Sequence, residues 1–241
     1  MEFTFDDFRK RATDKRLSKW EKIGFPDSYR SGVEQLIFQD ICNKTDMNKA
    51  ATILDIGCGC SELVDYFVAM ANENKQALFL VDSAEMLENI SNASITDYVH
   101  LVPGRFPDKE VLAKLEEASF DVIVVYSVIQ YVFIDQSIFG FIHECIRLLK
   151  SGGRLLIGDI PNFQARERFL DSNEGKAFAA NLHQTNNGIN ILHENAERID
   201  DSVIMSILLR YRQFGCETYL LKQNNNLPFS NRREDILIIK R

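Results

Sequence analysis

One stretch limits the fold more than any other. Ala50-Ala51-Thr52-Ile53-Leu54-Asp55 is an apolar run with β-branched residues that ends in an acid, and Ile56-Gly57-Cys58-Gly59 follows directly. Beyond the glycines, Leu63, Val64, Phe67, Val68 and Ala71 recur at the spacing of one helix face. The pattern predicts strand, tight turn, helix. Glycine, with no Cβ, takes positive φ and lets a ligand lie against the backbone. The turn then delivers that ligand to a helix N-terminus with free N–H groups. One strand further on, Ala77-Leu78-Phe79-Leu80-Val81 ends in Asp82, with Ser83 next. An acid there is placed to accept hydrogen bonds from ribose hydroxyls. A nucleoside-containing ligand is expected against Asp55, Gly57, Cys58, Gly59, Asp82 and Ser83.

A dinucleotide fingerprint needs a third glycine to bring helix and strand together, and Glu62 stands at that position. The other pattern, acid-x-Gly-x-Gly-x-Gly, is the first motif of class I S-adenosylmethionine-dependent methyltransferases. The segment resembles it through Asp55, Gly57 and Gly59, with Ser61 in place of the last glycine. The resemblance implies an α/β fold: a doubly wound, seven-stranded, mostly parallel sheet with an antiparallel last strand and helices on both faces. It implies S-adenosyl-L-methionine as cofactor. An NAD(P)-dependent oxidoreductase and a noncatalytic nucleoside-binding module of the same fold are the competing readings.

The elements that follow fit that order. Tyr98-Val99-His100-Leu101-Val102 reads as a third strand, leading to Pro103-Gly104-Arg105-Phe106-Pro107. The family often presents an acid to the adenine amine after this strand. Arg105 departs from that, and Phe106 is the candidate contact for the adenine ring. Ser119 to Tyr126 has the unbroken apolar character of a central parallel strand. Tyr126, Ser127 and Gln130 fall at its C-terminal end, where open α/β sheets bind ligands. Ile138, Phe141, Ile142, Cys145, Ile146 and Leu149 form a helix stripe, which Lys150-Ser151-Gly152-Gly153 is expected to cap. Arg154 to Pro161 is the fifth strand, with Asp159 at its ligand-facing end. Val203, Ile204, Ile207, Leu208, Tyr211 and Phe214 mark the clearest helix face. Glu217–Lys222 and Asp235–Lys240 read as a closing pair of strands.

The expected domain organisation is an N-terminal helical extension or lid over residues 1–48 and a Rossmann-like domain over 49–241. A long polar segment at about 162–200 forms a substrate cap, because loops of that length usually serve function or hold helices. It contains Arg166, Arg168, His183 and His193; the arginines are candidates for a substrate phosphate or carboxylate.

Methyl transfer needs alignment of acceptor, methyl and sulfur, and a base when the acceptor is a hydroxyl. His183, His193 and Asp159 are the candidate bases. A net charge of −7 argues against a broad phosphate-binding face, so a small-molecule acceptor is expected and nucleic acid is not. The segment after the fourth strand, Tyr126-Ser127-Val128-Ile129, lacks the Asn-Pro-Pro-Tyr signature of amino-group DNA methyltransferases. The first residues lack a secretory pattern, and Val122–Ile134 is too short to span a bilayer, so no membrane association and a cytoplasmic location are expected. The five cysteines show neither disulfide nor zinc spacing, and no metal is expected. Gly158-Asp159-Ile160-Pro161-Asn162, Phe169 and Arg232-Arg233-Glu234-Asp235 resemble methyltransferases of bacterial surface-polysaccharide clusters, which implies a sugar or phosphorylated precursor as acceptor.

Overall fold

Apolar runs form the strands, and those in the middle of the sheet are apolar at almost every position because both faces are covered. The computed structural model describes residues 3–91, 95–184 and 198–241. Its strands are β1 (Thr52–Ile56), β2 (Ala77–Asp82), β3 (Val99–Pro103), β4 (Phe120–Tyr126), β5 (Leu149–Pro161), β6 (Glu217–Lys222) and β7 (Arg233–Ile239). They make one sheet in the order β3-β2-β1-β4-β5-β7-β6. All pairings from β3 to β5 are parallel, and β7 runs antiparallel to both β5 and β6. This is the doubly wound, seven-stranded sheet with an antiparallel last strand that the sequence implied. Strand order reverses between β1 and β4, and the C-terminal ends of those strands are where such sheets leave a ligand crevice.

The helices are α1 (Phe5–Thr13), α2 (Lys19–Lys22), α3 (Asp27–Arg30), α4 (Glu34–Thr45), α5 (Glu62–Asn74), α6 (Ala84–Leu87), α7 (Lys109–Leu112), α8 (Ile129–Asp135), α9 (Ile138–Leu148), α10 (Phe163–Asp171), α11 (Asn173–Gln184) and α12 (Asp201–Gln213). They cover both faces of the sheet. Leu54 and Ile56 of β1 pack with Ile142 of α9 and Tyr211 of α12 in one cluster, while Ile53 packs with Ile41 of α4 and Phe67 of α5 in the other. The two periods of one short strand thus build two cores.

Two local expectations are corrected. Gly152 and Gly153 do not cap α9; that helix ends at Leu148, and the glycines lie in an excursion of β5. Leu149 pairs with Phe120, the register then shifts, and Arg154 pairs with Val122. A Cβ at Gly153 would stand 2.8 Å from the Lys150 carbonyl oxygen, so close backbone approach explains that glycine. Phe214 lies past the end of α12 and is 60% exposed, so it belongs to no core face.

Candidate active site

The glycine turn takes the conformation its composition implied. Gly57 and Gly59 have φ of +72° and +68°. The N–H groups of Gly57 and Cys58 donate to the Val81 carbonyl at 2.8 and 3.3 Å, which ties the turn to β2. The Gly59 N–H donates to Oδ2 of Asp82 at 2.9 Å, and the Ser83 N–H to its Oδ1 at 2.7 Å. A cavity of about 960 Å³, counted out to its open mouth, lies against this turn. Gly57, Cys58, Gly59 and Asp82 line it on the β1–β2 side, and Arg105, Phe106, Tyr126 and Ser127 on the β3–β4 side. The N-terminal segment contributes Phe5, Phe8, Ile23, Phe25 and Arg30. Two of the expected cofactor residues stand outside this lining. Asp55 is only 3% exposed, and the Ser83 hydroxyl accepts the Met86 N–H as the cap of α6.

The electrostatics of the turn discriminate between ligands. Burial pushes the Asp82 carboxyl up to about 6, against the two N–H groups it accepts. Burial pushes Asp55 up to about 8, and the charge of Asp82 adds to that. Among the described residues no cation acts on either group, so Asp82, the more acidic of the two, is the charge that a cationic ligand would meet. The N-terminus of α5, where a dinucleotide would place its pyrophosphate, is already occupied. Ser61 makes no side-chain cap there, and the Glu34 carboxylate of α4 accepts the Leu63 N–H at 2.9 Å. Glu34 is 1% exposed, and a second anion beside it would be repelled.

Residues 54–157 match a family model described as a methyltransferase domain. The chain carries a methyltransferase domain. A comparison with curated proteins finds no match. Among solved structures, the plantazolicin methyltransferase BamL, in complex with a triazolic desmethylPZN analog and SAH, is similar with a TM-score of 0.59 at 14% identity, over 98% of this chain and 96% of that one. The methyltransferase domain of bacterial CtHen1-C gives 0.55 at 12% identity over 87% and 99%. A putative O-methyltransferase from Klebsiella pneumoniae gives 0.53 at 13% identity over 100% and 91%. These likenesses carry the fold.

The methyltransferase has a donor site that fits S-adenosylmethionine: Asp82 faces the cavity with no cation beside it among the described residues, and the anion-binding end of α5 already holds Glu34. Phe106 is buried edge-on to Phe141, with ring centroids 5.0 Å apart, and still presents a surface to the cavity. Arg105 pairs with Asp135 at 3.0 Å, so its charge is compensated within the cavity wall.

The β4–β5 side of the methyltransferase site is built from charge. Asp159 takes φ of +59° at the β5–β7 irregularity, and its N–H donates to Oδ1 of Asp235 at 2.8 Å. Its Oδ2 accepts the Ser127 hydroxyl at 2.5 Å, Arg233 Nη1 at 2.9 Å and Arg30 Nη2 at 3.4 Å. Arg30 also donates to Ser127 Oγ at 2.6 Å, and its guanidinium lies over the Phe25 ring at 4.1 Å. Asp235 is closed on its far side by Lys44 at 2.7 Å, which also pairs with Asp40. A smaller, shallow cavity adjoins this network, lined by Tyr29, Asp159, Leu227 and Phe229, and it shares Phe25, Arg30 and Tyr126 with the first.

Of the other expected base candidates, His193 lies outside the described residues, and His183 falls in α11 with its side chain outside them. Arg168 is exposed and paired with Asp201 at 2.7 Å. Sequence reasoning missed Arg30, Glu34, Arg233 and the aromatic residues Phe5, Phe8, Phe25 and Tyr131 that line the main cavity or its edge. The break at Gly24-Phe25-Pro26 marked a turn there, but no local pattern tells which strand end such a turn will meet. Among the described residues no cluster has the composition of a metal site, and no helix is long and apolar enough to cross a membrane.

Proposed function

We propose that the chain transfers the methyl group of S-adenosylmethionine to a small-molecule acceptor held between the main cavity and the smaller one beside Asp159. The observation that carries this reading is the pairing of a donor end at Asp82 and the Gly57–Gly59 turn with an acceptor end of guanidinium and aromatic groups at Arg30, Phe25, Tyr126 and Tyr131. When bound, the cofactor supplies a methyl group already activated by its sulfonium. The chain's own residues then have an alignment task. Asp82 holds the ribose, Phe106 borders the adenine, and the Gly57–Gly59 turn admits the ligand to the backbone. Ser127 and Arg30, fixed by Asp159, orient the acceptor. With its Oδ2 engaged by two guanidiniums and a hydroxyl, Asp159 positions these groups. For a hydroxyl acceptor the proton goes to His183 or His193 of the cap segment. Rings at Phe25, Tyr29 and Phe229 suit the apolar face of a sugar, in keeping with a sugar or a phosphorylated precursor as acceptor. α1 and α2 act as the lid over the donor.

Calorimetric titration of the purified chain with S-adenosylmethionine, S-adenosylhomocysteine, NAD and NADP tests the donor. Saturable binding of the two sulfur nucleosides alone is expected. Binding of NAD or NADP instead would overturn the reading of Glu34 and Asp55. Screening sugars and sugar phosphates for methyl transfer then tests the acceptor.

A further inference from the structure

We infer that Arg166, Arg198, Arg232 and Arg233 form a receptor for the phosphate of a phosphorylated acceptor, beside the smaller cavity. This deepens the acceptor half of the proposed function and rests on it. The four residues come from three places that the fold brings together. Arg166 lies on α10. Arg198 precedes α12 and is drawn in where the Phe163 N–H donates to the Ile199 carbonyl at 2.9 Å. Arg233 pairs with Pro161 across the β5–β7 ladder, and the Asn162 N–H reaches the Arg232 carbonyl at 3.5 Å.

Arg233 already pairs with Asp159 at 2.9 Å, whereas Arg198 and Arg232 sit among aromatic rings. The Arg232 guanidinium lies over the rings of Phe169, Phe178 and Phe229 at 4.9, 4.9 and 4.4 Å, and that of Arg198 over Phe163 at 4.5 Å. Among the described residues no carboxylate pairs with Arg166, Arg198 or Arg232, and the Arg198 Nη2 atom is buried with no hydrogen-bond partner. Burial and then the charge of Arg198 pull Arg166 below its ordinary range, while burial and the charge of Arg233 bring Arg232 down to about 10. A protein that gathers guanidiniums on apolar rings and leaves a donor unsatisfied there carries an electrostatic cost that a dianion removes. Guanidiniums recognise phosphate through paired N–H donors. Phe229 and Tyr29 line the smaller cavity, Arg232 and Arg233 lie over Phe229, and Tyr29 acts on the charge of Arg232. A phosphate held by the arginines therefore places the rest of its molecule toward Arg30 and Ser127. Arg168, which sequence alone ranked with Arg166, is spoken for by Asp201.

The test uses the full chain saturated with S-adenosylhomocysteine and titrates inorganic pyrophosphate at constant ionic strength. Saturable binding is expected, weakened about tenfold or more in Arg166→Gln and in Arg198→Gln, since each loses charge-assisted hydrogen bonds. Arg168→Gln should bind as the unaltered chain does. Retained S-adenosylhomocysteine affinity in each variant shows that the fold and the donor site persist, so loss of that affinity in the unaltered chain would count against the donor reading alone. In the unaltered chain, pyrophosphate should also protect Arg166 and Arg198, and not Arg168, from phenylglyoxal as mapped by mass spectrometry. Absence of saturable binding, an affinity that survives both substitutions, or protection that does not distinguish Arg168 would overturn the proposal.

Discussion

Replacing Gly57 with alanine tests the glycine turn quantitatively. With φ at +72°, an added Cβ costs about 1–2 kcal/mol in the left-handed region. The same Cβ would stand 2.6 Å from Cγ2 of Val128, well inside van der Waals contact. Relieving that overlap means moving a β-branched side chain at the end of β4, an overpacking cost of about 1–3 kcal/mol. Gly57→Ala should therefore destabilise the unliganded chain by roughly 2–5 kcal/mol in urea unfolding. It should also weaken S-adenosylhomocysteine binding, because the displaced Val128 lines the same cavity. Val128→Ala removes the obstructing methyl groups but leaves the backbone strain. The double variant should thus be more stable than the sum of the two single effects by about 1–2 kcal/mol, a coupling that a double-mutant cycle resolves. A Gly57→Ala change of less than about 0.5 kcal/mol, or strict additivity, would refute the steric account of this turn.

Three further outcomes follow from the same geometry. Gly59→Ala places a Cβ 2.7 Å from Ile23 Cγ2 at a φ of +68°, so besides a strain cost of about 1–2 kcal/mol it should push the N-terminal segment off the turn and speed limited proteolysis ahead of Ile23. Asp82 carries a carboxyl raised to about 6, so its charged, ribose-binding form is complete above that pH and is lost as pH falls through it; S-adenosylhomocysteine affinity should fall over that range, and Asp82→Asn should bind more weakly and with no such dependence. Arg9 of α1 clasps Glu85 at 2.6 Å with its side chain 47% exposed, so Arg9→Ala should change stability by less than about 1 kcal/mol yet raise the ligand dissociation rate measured by stopped flow; an unchanged rate would remove α1 from any role as a lid.

The parts of this fold legible in the sequence are those whose causes are local. Alternation, a glycine pair and a strand-ending acid lie within a few residues of one another, so β1, the turn, α5 and Asp82 can be read directly. The Gly152–Gly153 cap failed because a helix end and a long excursion in a strand use the same residues, and only the Phe120–Leu149 pairing tells them apart. Phe214 fitted the period of α12 one residue beyond where the backbone follows it. Glu34 and Arg30 were not legible at all. Each acts on a partner far along the chain, Leu63 in one case and Ser127 and Asp159 in the other, and nothing in their own neighbourhood signals it.

The sequence alone left the N-terminal extension undecided between a packed edge and a lid, and the charges divide it. Asp159 and Asp235 sit 6% and 0% exposed at the acceptor end of the sheet, and cations from the extension reach both: Arg30 at the end of α3 and Lys44 in α4. Removing a partner from a buried ion pair strands the remaining charge, at a cost of several kcal/mol. Detaching α3 and α4 would take Lys44 from Asp235, leave Asp159 with Arg233 alone, and also take Glu34 from the N-terminus of α5. α1 and α2 are held differently. Their charged ties to the domain, Arg9 with Glu85 and Lys19 with Glu62, lie near the surface where water replaces them at little cost, beside the contacts of Phe8 with Tyr131 and of buried Ala12 with Asn89. Phe5, Phe8 and Ile23 from this stretch or its end line the donor cavity, whereas Arg30 faces the acceptor side. For the lid proposed above, the boundary between its moving and fixed parts would fall near Gly24, whose φ of +89° and following Phe25-Pro26 would give the pivot. An opening there would expose the cavity beside the glycine turn while leaving the buried charges around Asp159 in place.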